Sequence, residues 1–369
     1  MPIPEISTKL QRLADYLDRH HLDGVLLTQR GNFAWITAGK DNHIPNNSPI
    51  GVASILATPD SLTCLASSIE APRFKAEELK DTGIDVITFP WFDHTVAKDL
   101  AEELIANRRI ATDALDFGLP LPHLDPDFVE LRWSLLPEEI ARYRQGASRT
   151  SLAMEQACRQ IKPHDSEHEI AGMLDHHIRR SGCNPLVTLV AADHRISAFR
   201  HPIPTDNKVQ RYVMLVTCAQ FGGLISCLTR FVAFAPLDAE LLAKQQAVCN
   251  IDAAINLSSK PGLTLSQLFS ILEKAYADNS FPEQWLFHHQ GGPTGYATRE
   301  ALATPDSPVI VRENQAFAWN PSITGVKSED TILVSNTGVE FLTAPSSDWP
   351  TLAVEFQGHT LRRPNVLQR

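Results

Sequence analysis

The first third of the chain alternates between two spacings of apolar residues. Between residues 9 and 19, apolar side chains recur at Leu10, Leu13 and Leu17, close to the helical period, and a continuous apolar run follows at 24–28. Further segments continue this alternation, with strand-like runs at 50–57, 61–66 and 84–89 and helix-like segments at 70–80 and 96–107. The pattern predicts an α/β domain that ends near residue 130.

A second pattern begins at Pro137, which is followed by two glutamates, as is typical of a helix N-terminus. We predict that this helix runs to about residue 160. Capping-box sequences at 166–169 and 264–267 open two more helices. Strand-like runs lie at 186–192, 212–218, 224–234, 285–289, 316–320 and 331–334. Together they predict long helices that cover a curved, mostly antiparallel sheet, which is an α+β domain.

The chain length agrees with two domains. At 369 residues and 40.9 kDa, the protein exceeds what one hydrophobic core usually organises. After about residue 344 the sequence becomes rich in proline and polar residues, which is typical of a surface tail. The predicted division is therefore an N-terminal domain at 1–134, a second domain at 135–345 and a C-terminal tail at 346–369.

Charge and composition exclude several classes of protein. The 33 basic and 43 acidic residues give a net charge of −10, the wrong sign for a nucleic-acid partner. No apolar run approaches the roughly 20 residues that span a bilayer, and no leader-like segment opens the chain, so we expect a cytoplasmic protein without a membrane partner. The six cysteines form no close pair, which favours buried thiols over disulfides or a zinc site.

Six short segments occur in a fixed order along the second half of the chain. They are 201–204 (His-Pro-Ile-Pro), 212–218, 223–230, 288–295 (His-His-Gln-Gly-Gly-Pro-Thr-Gly), 319–321 (Trp-Asn-Pro) and 328–330 (Ser-Glu-Asp). In this order the second half resembles the pita-bread fold family, which includes creatinase, aminopeptidase P, prolidase and methionine aminopeptidase. The first half is similar to that family's creatinase-type N-terminal domain. The resemblance implies a homodimer in which the loop at 39–49 is either a lid or a plain surface loop.

The resemblance also implies that most metal ligands are missing. Metal-dependent relatives hold two divalent ions with two Asp, a His and two Glu. At the positions that match the family's motifs, this chain has Val216, Cys227, Gly292 and Asn320, and only Glu329 is retained. The 31 residues between Asp206 and Asp238 contain no carboxylate, so a shift of the alignment cannot restore the two aspartates. One carboxylate cannot offset the dehydration of two dications, so we expect neither a metal nor another cofactor.

Two histidines and one glutamate remain as candidate catalytic residues. By resemblance, His201 and His288 match the family's conserved histidines and Glu329 an acidic position. Histidine is the natural proton carrier at neutral pH, and a carboxylate beside it would fix its tautomer. We therefore pair His201 with Glu329; the alternative is a turn histidine capped by backbone carbonyls. On the predicted strand 285–289, His288 and His289 point to opposite faces, so His288 enters the site and His289 packs elsewhere.

The predicted substrate-binding residues are Arg230, Arg299, Glu300 and Asn320. Arg299 and Glu300 suit a zwitterionic ligand, although they could equally pair with each other on the surface. Lys327 could replace the charge of the lost metals, but a solvent-facing lysine is the simpler interpretation. Cys227 has no activating partner nearby in sequence and is read as an inert buried thiol.

Three functions compete on this basis. The leading hypothesis is a metal-independent, creatinase-like hydrolase that cleaves a C–N bond of a small, charged, nitrogenous compound. The second is a non-catalytic protein that binds a small molecule in the same pocket. The third is a metallopeptidase of the Xaa-Pro aminopeptidase or dipeptidase type, which the fold suggests and the ligand positions oppose.

Overall fold

The computed structural model describes residues 3–369 and divides the chain into two compact units, which meet in sequence between Arg132 and Trp133. In the described part of the chain, no helix is both long and apolar enough to cross a membrane. The boundary lies two residues before the predicted one at 134.

The first unit is a five-stranded mixed sheet with helices packed against it. The elements are α1 (Pro4–His20), β1 (Gly24–Gln29), α2 (Arg30–Ile36), β2 (Ile50–Ala57), β3 (Leu62–Ser67), α3 (Ala71–Arg73), β4 (Asp85–Phe89), α4 (His94–Ile105) and β5 (Ile110–Thr112). The strands follow the order β4-β3-β2-β1-β5, with antiparallel β1–β2 and β2–β3 pairs and parallel β1–β5 and β3–β4 pairs. The predicted strands and helices of the α/β unit are all present.

The second unit contains two four-stranded sheets with helices. The helices are α5 (Pro137–Gln160), α6 (Glu167–Arg180), α7 (His194–Ala198), α8 (Ala239–Ser258) and α9 (Leu265–Asp278). The strands of the two sheets and of a short hairpin are β6 (Asn184–Ala192), β7 (Tyr212–Phe221), β8 (Leu224–Ala233), β9 (Gly291–Thr294), β10 (Gln315–Trp319), β11 (Ser322–Ile323), β12 (Val326–Lys327), β13 (Asp330–Ser335), β14 (Gly338–Phe341) and β17 (Leu367–Gln368). The strand orders of the two sheets are β17-β8-β7-β6 and β14-β13-β10-β9.

Local sequence signals explain where the helices of this unit begin. Ser166 and Thr264 each accept a hydrogen bond from the backbone three residues later, and the residue at that third position bonds back, so both predicted capping boxes are confirmed. Helix α5 begins at Pro137, also as predicted. Helices α5 and α6 cover the β6–β8 sheet, and α8 packs on α9. This layered arrangement leaves the opposite face of the β6–β8 sheet for the site.

Two sequence predictions for this unit are wrong. Residues 285–289 do not form a strand, because Gln284–Phe287 is a 3₁₀ turn and His288 follows it in an extended conformation. The segment after 346 is not a surface tail. It forms a hairpin of β15 (Thr351–Phe356) and β16 (His359–Pro364), and then β17 (Leu367–Gln368) pairs with β8.

Candidate active site

The two sheets of the second unit are joined at the start of β13. The side-chain oxygen of Thr331 accepts a hydrogen bond from the backbone N–H of Cys227 at 2.8 Å and donates one to its carbonyl at 3.0 Å. Two residues earlier, the backbone carbonyl of Glu329 accepts from the N–H of Thr229 at 3.2 Å. These bonds fix the Glu329 side chain at the seam between the sheets.

Glu329 is buried and carries two cationic partners. Lys327 Nζ lies 2.7 Å from one carboxylate oxygen and Arg299 Nη2 lies 3.1 Å from the other. The hydroxyl of Thr229 donates a third bond at 2.7 Å. Burial alone would raise the pKa of Glu329, but Lys327 and Arg299 outweigh it and lower the pKa to about 2. The carboxylate is therefore ionised at every physiological pH.

Three histidines converge beside this ion cluster. His201 Nε2 and His288 Nε2 are 3.0 Å apart, and the His288 and His289 rings stack with their centroids 4.5 Å apart. One candidate ligand atom from each ring lies within 4.8 Å of the other two. Burial and then Lys327 lower the pKa of His288 to about 2 and shift the pKa of His201 downward. Burial and then Arg299 lower the pKa of His289 to about 4, so His288 and His289 are neutral at pH 7.

Five of these residues, His201, His289, Arg299, Lys327 and Glu329, line a cavity of about 280 Å³. One wall is apolar and is formed by side chains of β6 and β7. The lining residues are Val187, Leu189, His201, Val216, Cys218, His289, Thr298, Arg299, Asn320, Lys327 and Glu329. Loops after α7, after the 3₁₀ turn and after β9 bring the polar members to the sheet, which explains why they are scattered over more than 100 residues of sequence.

Comparison with known proteins identifies the family. Residues 141–336, which are more than half of the chain, match the model of metallopeptidase family M24. The chain belongs to metallopeptidase family M24.

Individual relatives of this M24 chain are distant but cover nearly all of it. The Xaa-Pro dipeptidase of Pyrococcus furiosus is 21% identical over 360 residues, which are 92% of this chain and 98% of the relative. Among solved structures, the prolidase of Pyrococcus horikoshii OT3 superposes with a TM-score of 0.77 at 20% identity, over 92% of this chain and 99% of that one. The dipeptidase PepE of Mycobacterium ulcerans gives 0.76 at 15% identity over the full length of both chains. The predicted pita-bread fold with its N-terminal domain is confirmed.

The structure brings most of the predicted site residues of this M24 chain together. His201, Arg299, Asn320 and Glu329 all line the cavity. The prediction that His288 enters the site is corrected, because His288 is buried outside the cavity lining and contacts His201. The predicted direct pair of His201 with Glu329 is corrected, because the carboxylate is engaged by Thr229, Arg299 and Lys327 while the imidazole bonds to His288. The neighbouring histidine, and not the carboxylate, orients His201.

Two predicted substrate-binding residues lie elsewhere. Arg230 is buried in the core, where it pairs with Asp330 at 2.9 Å and donates to backbone carbonyls. Glu300 accepts hydrogen bonds from the backbone N–H groups of Tyr296 and Ala297 and stabilises the turn after β9. Neither side chain lines the cavity, so their roles are corrected from binding to structural support.

His289 and Lys327 do not lie where their sequence context predicts. His289 lines the cavity because residues 288–289 are not in a strand, so the alternation of faces does not apply to them. Lys327 is not solvent-facing, since its side chain is 5% exposed and is paired with Glu329. Cys227 is buried as predicted, but it has a partner distant in sequence, because Arg299 Nη1 lies 3.3 Å from its sulfur. It also faces Cys218 directly across the β7–β8 ladder.

The residues present do not fit the two metal ions that the M24 family implies. Among the described residues lining the cavity, Glu329 is the one carboxylate, and two side-chain cations already neutralise it. At Gly292, where the resemblance requires a histidine, φ is +151° and a Cβ would meet Ala301 O at 2.5 Å. The three neutral histidines could together hold one ion, but Lys327 and Arg299 beside them oppose a dication electrostatically.

These buried histidines make acid stability a first prediction. In the unfolded chain, His288 and His289 bind protons below the ordinary histidine pKa of 6.5, whereas in the folded chain they stay neutral until much lower pH. Because the unfolded chain then binds more protons, the free energy of unfolding falls as pH decreases from 6.5 toward 4. Below 4.5, Glu329 adds to the loss. Urea unfolding at several pH values measures this, and His288→Gln is expected to flatten the slope whereas the exposed His359→Gln is not. A wild-type stability that is flat between pH 7 and 5 would contradict it.

Proposed function

We propose that this M24 chain hydrolyses a C–N bond of a small dipeptide-like compound without the family's pair of metal ions. The relatives named Xaa-Pro dipeptidase favour an Xaa-Pro peptide as the substrate over the creatinase-like compound expected from the sequence alone. The observation that carries the proposal is the pair of histidines His201 and His288, 3.0 Å apart at a cavity whose lining carboxylate is held by two cations. That arrangement provides a proton carrier and positive charge without a metal.

His201 supplies the proton transfer in this proposal. Its lowered pKa keeps the imidazole neutral near pH 7, so it can accept a proton from a water molecule that attacks the carbonyl carbon. A C–O bond forms, and the proton then passes to the leaving nitrogen as the C–N bond breaks. Because one Nε2 donates to the other, His288 fixes the tautomer of His201 and hence the nitrogen that faces the substrate.

Arg299 and Lys327 stabilise negative charge in the same proposal. As water adds, the carbonyl oxygen becomes an oxyanion, and fixed cations in a buried cavity stabilise it more strongly than they would in water. Glu329 cannot donate a proton, since its pKa is about 2. Its role is to hold the two cations at fixed positions, 2.7 and 3.1 Å from its oxygens.

Product analysis in the presence of a chelator tests the proposed function. Purified protein treated with EDTA is incubated with a panel of Xaa-Pro dipeptides and, in parallel, with amidino and N-methylated amino acids. We expect amine release from at least one dipeptide, unchanged by the chelator. Elemental analysis after incubation with Mn²⁺, Co²⁺ and Zn²⁺ is the companion measurement, and activity that requires stoichiometric metal would overturn the metal-independent mechanism.

The pH profile gives a second prediction. kcat/KM is expected to fall only below the ordinary histidine range, because burial and Lys327 lower the pKa of His201. Replacing Lys327 by Met removes a positive neighbour, so the acidic limb should move to higher pH. The exposed Lys274→Met, on α9, is the matched control and should leave the limb in place. An acidic limb that does not move in Lys327→Met would show that His201 is not the titrating base.

A non-catalytic binding protein is the second candidate, and one observation favours it. The carboxylate of Glu329 is fully engaged by Thr229, Arg299 and Lys327, so it cannot act as a second base. This candidate predicts that ligands raise the melting temperature while neither wild-type protein nor His201→Ala forms any product. Dimerisation and the charged, nitrogenous nature of the ligand remain predictions from the sequence.

A further inference from the structure

The cavity contains more positive than negative charge. Lys327 and Arg299 have side chains that are 5% and 12% exposed, and both pair with the same carboxylate, Glu329, which is 2% exposed. The two histidines with the strongest pKa shifts, His288 and His289, are neutral and cannot add or remove charge at pH 7. Two cations against one anion leave a surplus of one positive charge in a buried space. Such a charge is costly unless a partner neutralises it.

Three polar atoms around this surplus charge have no hydrogen-bond partner among the described residues. They are Arg299 Nε, His289 Nδ1 and Asn320 Oδ1, all of them buried. Lys327 Nζ has three hydrogens and, among the described residues, one acceptor, Glu329. Because these unsatisfied atoms cluster around one cavity that also carries a surplus charge, they point to a polar ligand there. The donors outnumber the acceptor, which points to a ligand that mainly accepts.

The opposite wall of the cavity defines the rest of the ligand. Val187, Leu189 and Val216 line it with branched apolar side chains from β6 and β7. The volume of about 280 Å³ is at the lower end of the range of small-molecule pockets. The cavity therefore suits a compact molecule with an apolar body and one anionic, acceptor-rich end.

We propose that this chain has an anion site where other family members bind metal cations. In this site, Lys327 and Arg299 bind the carboxylate of a small ligand with an apolar body. The surplus charge that attracts a carboxylate also repels divalent ions, so the two preferences have one cause. For the proposed hydrolase, on which this refinement of substrate class rests, the substrate would be a free acid and not its amide or ester. Its carboxylate would lie next to the scissile carbonyl, so that Lys327 and Arg299 donate to the carboxylate and to the oxyanion.

Equilibrium binding to the full chain tests the anion site without requiring turnover. The probes are 3-methylbutanoate and its neutral isostere 3-methylbutanamide, titrated by calorimetry and by thermal shift at fixed ionic strength. We expect the acid to bind and the amide to bind about tenfold or more weakly, as for loss of a buried charge pair. Equal binding of acid and amide, or a stabilising effect of Zn²⁺ with none from the acid, would overturn the proposal.

Four variants assign the effect to the named residues. Lys327→Met should abolish the preference for the acid, and exposed Lys274→Met should keep it. Glu329→Gln raises the surplus from one charge to two and should bind the acid more tightly, which keeps the test informative if Lys327→Met does not fold. Cys227→Ser should bind the acid as wild type does. Tighter binding in that variant would show that a thiolate beside Arg299 already cancels the surplus charge, and this would overturn the proposal.

The experiments distinguish an error in the anion-site proposal from an error in the hydrolase proposal. If the acid probe binds with the expected preference but no dipeptide is cleaved, the anion site stands and the hydrolase is wrong. If dipeptides are cleaved and the acid and amide probes bind equally, the hydrolase stands and the anion site is wrong.

Discussion

Replacing Asp330 by Ala is expected to lower the free energy of unfolding of the second unit by about 3–5 kcal/mol. The carboxylate of Asp330 is fully buried and bonds to Arg230 at 2.9 Å, to Arg363 at 2.7 Å and to the hydroxyl of Thr343 at 2.7 Å. Arg363 also pairs with Asp252. Removing one carboxylate would leave two buried guanidinium groups with a single counter-charge, which is far more costly than losing an exposed ion pair.

Urea unfolding followed by circular dichroism measures this loss. The control is Asp278→Ala, which breaks an exposed pair with Lys274 and should change the free energy of unfolding by about 0.5 kcal/mol or less. Because Arg363 lies in β16, the Asp330 variant should also expose the C-terminal hairpin to proteolysis. A loss similar to that of the control would mean that the buried network is not stabilising.

The same network explains one limit of prediction from sequence. The residues after 344 look like a surface tail because they are polar and rich in proline, and nothing in that composition reveals that Arg363 is paired with Asp330 and Asp252. Helix α8 was not predicted, because it is buried on nearly all sides and not because it is polar. Eight of the nine residues between Val248 and Asn256 are buried, so its apolar residues show no one-sided helical period. Helices α6 and α9, by contrast, carry capping boxes and one apolar face, and both were predicted.

The order of the family's motifs along the chain was enough to predict some of the residues that line the cavity. It was not enough for residues whose position depends on local backbone geometry. His201, Arg299, Asn320 and Glu329 follow from the family's sequence of motifs and do share one cavity. His289 does not, because its position depends on a 3₁₀ turn where a strand was expected. Lys327 carried a usable signal, since extended residues two apart point to the same side and Glu329 is two residues further on.

Replacing His201 by Ala is expected to lower kcat for the cleaved dipeptide by about 10²–10⁴, the usual contribution of a positioned acid–base group. KM should change little, because charge recognition comes from Lys327 and Arg299 and not from the imidazole. The side chain is only partly buried, at the cavity and not in the core, so the melting temperature should stay near that of wild type. The exposed His359→Ala on β16 is the control and should retain full activity.

Added imidazole should restore part of the rate in His201→Ala and none in a variant that merely misfolds. If His201→Ala retains activity within about threefold of wild type, well short of the loss expected for an acid–base group, then another group carries the proton, and the pairing of His201 with His288 is structural.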